Sequence, residues 1–156
     1  MMPRRLPLSR RRERGFTLIE VLVSVLVFSV GVLGMVGLQA TAVRLATDAQ
    51  QRAEATFLAD QLLARMLIAD PAAAASFAHH PDGTTRCAPT GPASTHALVT
   101  DWLADVTATF PRASADEQQI TVSGTPANEV TVRLCWRNTE SEAPHVLEVT
   151  NRVQWQ

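Results

Sequence analysis

The chain has 156 residues, 46 % of them hydrophobic, and a formal net charge of −1, which is room for about one domain. The near-neutral total hides a division: residues 1–15 hold six arginines against one glutamate, and residues 16–156 hold eight arginines against 14 acids. An acidic body argues against nucleic-acid binding through a basic patch or groove, and two cysteines outside any CxxC pair argue against a zinc knuckle or a thioredoxin-type site.

The opening stretch, MMPRRLPLSRRRERG, is polar and arginine-rich and has no apolar run of its own. A secretory signal places its small residues after the hydrophobic run, whereas here Gly15 stands immediately before it. A cut after Gly15 would remove the basic stretch and leave the apolar segment as the new N-terminus. Clustered arginine stays on the cytoplasmic side, so the body beyond Val43 is expected across the membrane.

From Phe16 to Val43 the chain carries a single charge, Glu20. As a helix these residues extend roughly 42 Å, against about 30 Å of hydrocarbon. A carboxylate there costs up to about 3 kcal/mol even on lenient insertion scales, so Glu20 needs a reason. Gly31, Gly34 and Gly37 recur every third residue. They allow close packing against another helix or weaken this one by up to about 1 kcal/mol each relative to alanine, and the two readings are compatible.

The stretch GFTLIEVLVSVLVFSVGVLGMVGLQ resembles the N-terminus of a type IV prepilin: glycine, phenylalanine, a short apolar stretch, glutamate, then a long apolar helix. The resemblance implies that a prepilin peptidase cuts between Gly15 and Phe16 and N-methylates Phe16, that the helix packs in a filament core, and that Glu20 meets the N-terminal amine of a neighbouring subunit. The longer stretch VGVLGMVGLQATAVRLATDAQQRAEATFLADQLLARM is similar to the PilV group of minor pilins. It lacks the proline that many major pilins carry near Gly37. The group's implied partners are the peptidase, other minor pilins, the major pilin, a tip adhesin and the inner membrane, with the head in the periplasm and later on the pilus. Adhesion, twitching motility or DNA uptake would follow from the filament. A type II secretion pseudopilin shares the same N-terminus, and a membrane-tethered periplasmic binding or enzymatic domain is the alternative of a different class.

Beyond Arg44, the residues Ala55, Leu58, Ala59, Leu62, Leu63, Met66 and Leu67 fall on one helical face, a core face for a small head. Ala46, Ala49 and Ala53 are candidates for a filament-facing side. Asp70-Pro71 ends the helix, because the residue before proline is driven from helical angles. One helix from Phe16 to Ala69 would be roughly 80 Å long.

PAAAASFAHHPDGTTRCAPTGPAS reads as an irregular connection. STHALVTDWLADVTATFP reads as a second helix with Val99, Trp102, Leu103, Val106 and Phe110 on one face, Ser94 or Thr95 as its cap and Pro111 past its end. QQITV, EVTVRLCW and HVLEVTNRVQW alternate as strands of an antiparallel meander, with Val130, Val132, Leu134, Trp136, Leu147, Val149, Val153 and Trp155 inward. The expected fold is α+β: a leader over 1–15, a membrane or filament-core helix over 16–43, an amphipathic continuation over 44–70 and a globular head over 71–156.

Cys135 falls on the sheet face opposite Leu134, where a loop carrying Cys87 can reach it. Outside the cytoplasm the two are expected to form a disulfide rather than two buried thiols. Closing a loop of about 49 residues would contribute roughly 4 kcal/mol in the chain-entropy model. His79, His80, Asp82, Cys87 and His96 match no metal-ligand spacing, and the histidines read as solvated loop residues. No GxSxG context or phosphate-binding loop is present, so neither an enzyme nor a cofactor is expected.

Overall fold

The computed structural model describes residues 15–110, 112–124 and 128–153. The first element is α1, Leu18–Leu67, a helix of 50 residues. The second helix, α2, spans Ala97–Thr109. Three strands follow, β1 (Gln119–Ser123), β2 (Glu129–Trp136) and β3 (His145–Arg152), in one antiparallel sheet of order β1-β2-β3. The fold is α+β. The chain divides into two compact units between Leu45 and Ala46, and each is taken by itself.

In the first unit every described residue is exposed. No proline interrupts α1, and Gly31, Gly34 and Gly37 have no neighbouring atom within 4 Å of a built Cβ position. The hydroxyls of Ser24, Ser29 and Thr41 donate to the carbonyls four residues back, Glu20, Val25 and Gly37, at 2.6, 2.7 and 3.1 Å. Each hydroxyl is thereby satisfied within its own helix, as an apolar surrounding requires.

The second unit has a continuous core. Ala55, Leu58, Ala59, Leu62, Leu63 and Met66 of α1 are buried and share that core with Val99, Trp102, Leu103 and Val106 of α2 and with Ile120, Val130, Val132, Leu134 and Trp136 of the sheet. Leu67, expected on this face, is 46 % exposed. It is the last residue of the helix. The indole of Trp102 donates to the Leu58 carbonyl at 2.9 Å and that of Trp136 to Gln51 Oε1 at 3.2 Å, so both buried rings tie an element to α1 while satisfying their only polar atom. Trp136 also stacks between Phe110 and His145, at 5.4 and 5.5 Å between centroids.

Several expected boundaries shift. α1 stops at Leu67, short of Ala69, and Asp70 instead caps the next element, accepting from the Ala72 amide at 2.9 Å. Residues Pro71–Phe77, expected to be irregular, form a 3₁₀ helix: proline suits a first helical position, and buried Ala74 and Phe77 give the turn an anchored face. β1 begins at Gln119, one residue later than expected, and β3 ends at Arg152. Val153 leaves the sheet to bond the Asn128 carbonyl through its amide at 2.8 Å, and its side chain is still buried. The expectations for Pro111 and Trp155, and for most of the leader, lie outside the described residues.

Candidate functional site

In the first unit, Gly15 and Phe16 precede the helix and Phe16 is 82 % exposed. Thr17 begins the helix: its carbonyl accepts from the Val21 amide at 3.3 Å, and its Oγ1 accepts from the Glu20 amide at 3.3 Å. Thr17 and Glu20 thus occupy the first and fourth places of a Thr-x-x-Glu capping box, with the threonine half of the box formed. That spacing is present in the sequence. A carboxylate in the first helical turn also faces the positive end of the helix dipole. Glu20 therefore has a local stabilising role whatever meets its outer side.

In the second unit, the structure joins Cys87 to Cys135 in a disulfide, with Cα atoms 5.7 Å apart. Cys135 is fully buried although it sits on the outer sheet face, because the loop carrying Cys87 covers it. The loop is built as a hairpin: Asp82 and Thr90 exchange backbone bonds at 2.9 and 2.8 Å. Gly91 closes it with φ of +100°, and a Cβ there would lie 2.7 Å from the Asp82 carboxylate. Cys87 itself takes φ of +56°.

Two glutamines, adjacent in the sequence and outside any motif, complete this clasp. Gln118, fully buried, accepts from the Cys135 amide at 2.8 Å and donates to the Cys135 carbonyl at 3.0 Å and the Ser114 carbonyl at 2.8 Å. Its side chain takes the place of a strand in pairing both backbone groups of Cys135. Gln119 fans its Nε2 across the carbonyls of His80, Asp82 and Gly83 at 3.0, 3.1 and 3.3 Å and accepts from Arg133 at 2.6 Å. Arg133 in turn bonds Glu148 through two nitrogens at 2.9 and 2.7 Å. A polar ladder thus runs from β3 across the outer sheet face to the loop. The loop carbonyls it satisfies were invisible to pattern reading, because the partners lie more than 30 residues away.

The histidines are not the solvated loop residues the sequence suggested. His79 is 2 % exposed and extends the sheet by one residue, exchanging backbone bonds with Ile120 at 3.0 and 2.9 Å. Its Nε2 donates to the Ala115 carbonyl at 3.1 Å, and its Nδ1 accepts from the Ser94 amide at 3.1 Å. Burial pushes its imidazole below the ordinary histidine value, against the raising pull of the Ala115 carbonyl; His80 adds to the lowering and Asp116 opposes it. His96 caps α2, accepting from the Leu98 amide at 3.2 Å through Nδ1. Ser94 and Thr95 do not hold that position: Ser94 Oγ instead accepts from the His96 amide at 3.2 Å and donates to the Ser76 carbonyl at 2.6 Å. Among the described residues no group of three or more His, Cys, Asp or Glu is arranged to hold a metal ion.

Residues 10–36 match the family model of the prokaryotic N-terminal methylation motif. The chain carries a prepilin-type N-terminus. The match takes in Gly15, Phe16, Thr17 and Glu20 and ends before the head. Neither curated proteins nor solved structures provide a match. The motif runs into the helix Leu18–Leu67, whose apolar 18-residue window has a mean hydropathy of 2.6, long and apolar enough to cross a membrane. With the three-stranded antiparallel sheet that follows, the architecture is pilin-like. The motif implies processing by a prepilin peptidase and a setting of pilin or pseudopilin assembly.

Proposed function

We propose that this protein is a minor type IV pilin of the PilV kind, a low-abundance subunit that helps prime filament growth at the tip. The observation that carries the reading is the match at residues 10–36, which runs into a helix whose large apolar side chains from Leu18 to Leu38 are exposed. In this reading the peptidase cuts between Gly15 and Phe16 and methylates Phe16. The body then stands in the periplasm, anchored by a single span in the inner membrane, until it enters a pilus with other minor pilins, the major pilin and a tip adhesin.

Glu20 then answers for its cost by docking. Cleavage creates a cationic amine at Phe16, four residues from the carboxylate. In a staggered bundle the amine of an incoming subunit meets the Glu20 of one already placed. At about 4 Å and an effective dielectric near 20 the gross attraction is roughly 4 kcal/mol, before desolvation is set against it. Helices that are otherwise apolar slide past one another with little penalty, so this pair sets their register. While the subunit waits in the bilayer, Glu20 lies one turn from the helix start and reaches the interface.

The test is mass spectrometry of the mature N-terminus from cells, together with the proteins that copurify. The expected result is a methylated Phe16 and copurification with sheared pili, and Gly15→Val should leave only unprocessed precursor in the membrane. An intact arginine-rich leader on filament-incorporated protein would overturn the prepilin reading. A secretion defect with pili intact would replace the pilus role by that of a pseudopilin.

A further inference from the structure

We propose that His79 is an acid-sensitive latch on the head, closed when its imidazole is neutral, that fastens the segment at Ser94, and through it the start of α2, to the turn at Ala115. The geometry fixes the protonation each ring needs. The Ala115 carbonyl can only accept, so Nε2 of His79 carries the proton; the Ser94 amide can only donate, so Nδ1 presents its lone pair. The Leu98 amide likewise can only donate, so Nδ1 of His96 is also unprotonated. Both acceptors are used on the same small junction. Ser94 gives its amide to His79, accepts the His96 amide on Oγ, and donates that hydroxyl to the Ser76 carbonyl. Ser94, His79, the cap of α2 and the end of the 3₁₀ helix Pro71–Phe77 therefore form one connected set of hydrogen bonds.

A proton added at Nδ1 of His79 turns an acceptor into a donor facing an N–H group. The loss falls at a buried position, where the Ser94 amide is left without a partner. The groups facing His79 are His80, ring centroids 4.3 Å away, and Asp116 from the turn before β1. His96 faces the Phe77 ring at 4.7 Å and makes no ion pair among the described residues. Elsewhere on the head, His80 stands 3.7 Å from Asp116 and His145 3.3 Å from Glu142. The disulfide and Gln119 hold the 82–90 hairpin independently, so acid loosens the junction at Ser94 and leaves the hairpin in place.

The sign follows from the direction at His79. A histidine held below its ordinary value favours the folded state fully above about pH 6.5, and that contribution is lost as pH falls through the folded value. The test uses the full chain in detergent micelles, melted at pH 7.5 and pH 5.0 and followed by the near-ultraviolet signal of its tryptophans. The comparison protein is His79→Gln, whose amide oxygen can still accept and which does not titrate. The melting temperature of the wild type should fall by about 5 °C more than that of the variant between the two pH values, and the Ser94 amide should lose hydrogen-exchange protection in acid in the wild type only. Equal pH slopes, or unchanged protection at that amide, would overturn the latch. If the variant does not fold, the wild type alone decides: equal protection factors for the Ser94 amide at the two pH values overturn the proposal.

Discussion

The stretch from Leu18 to Leu45 and the head from Ala46 onward are held together by different physics. In the first, each described side chain is exposed, and the structure rests on helical backbone bonds, a threonine cap and hydroxyls that bond back to their own helix. In the second, an apolar face of α1 is sealed by α2 and the sheet, and the outer sheet face is closed by a disulfide and a glutamine ladder. In the function proposed above, a helix satisfied within itself can exchange lipid for other helices. A head that carries its own core keeps its structure through that exchange.

Three measurements would break or sharpen the contrast. The largest effect is expected from the clasp. Cys87→Ala/Cys135→Ala should lower the unfolding free energy of the head by about 4 kcal/mol, seen as a lower denaturant midpoint, with N-terminal processing unchanged. A loss below about 1 kcal/mol would mean that Gln118 and Gln119 hold the loop without the bond. Next comes a matched pair of leucines. Leu62→Ala removes a fully buried side chain and should cost about 3 kcal/mol, whereas Leu26→Ala, at a side chain 65 % exposed, should leave head unfolding within about 0.5 kcal/mol of the wild type. Comparable losses at the two positions would show that the stretch before Leu45 contributes to head stability.

The smallest effect is expected from Glu20→Gln. Glutamine preserves the Thr-x-x-Glu/Gln form of the capping box, so the helix should form and the protein should insert and be processed normally. Under the proposed docking role, its incorporation into sheared filaments, measured by immunoblot, should fall several-fold without disappearing, because a minor subunit lacking the pair would leave the other subunits' pairs intact. Normal incorporation would leave capping as the whole role of Glu20.

What could be read without coordinates follows a physical boundary. The apolar helix, the glycine before it, the core stripe from Ala55 to Met66 and the alternation in EVTVRLCW are local patterns, and β2 occupies Glu129–Trp136 as that pattern requires. The pairing of Cys87 with Cys135 was also within reach, since two cysteines allow one intramolecular bond and strand alternation places Cys135 on the outer face. The histidines were misread because a local pattern carries no information on burial: His79 and His80 are adjacent, yet one is sealed under Ser94 and Ala115 while the other turns at φ of +44°.

By itself the sequence determined the prepilin-type N-terminus, the long helix and the succession of helix and strands, because cleavage motifs, hydropathy and periodicity act between residues a few positions apart. Only the tertiary structure decided that Gln118 pairs the backbone of Cys135, that Gln119 supports the loop over the sheet, and that His96 rather than Ser94 or Thr95 caps α2. Those assignments depend on which unsatisfied amides and carbonyls the packed core brings within about 3 Å of a side chain, and proximity of that kind exists only once the core has formed.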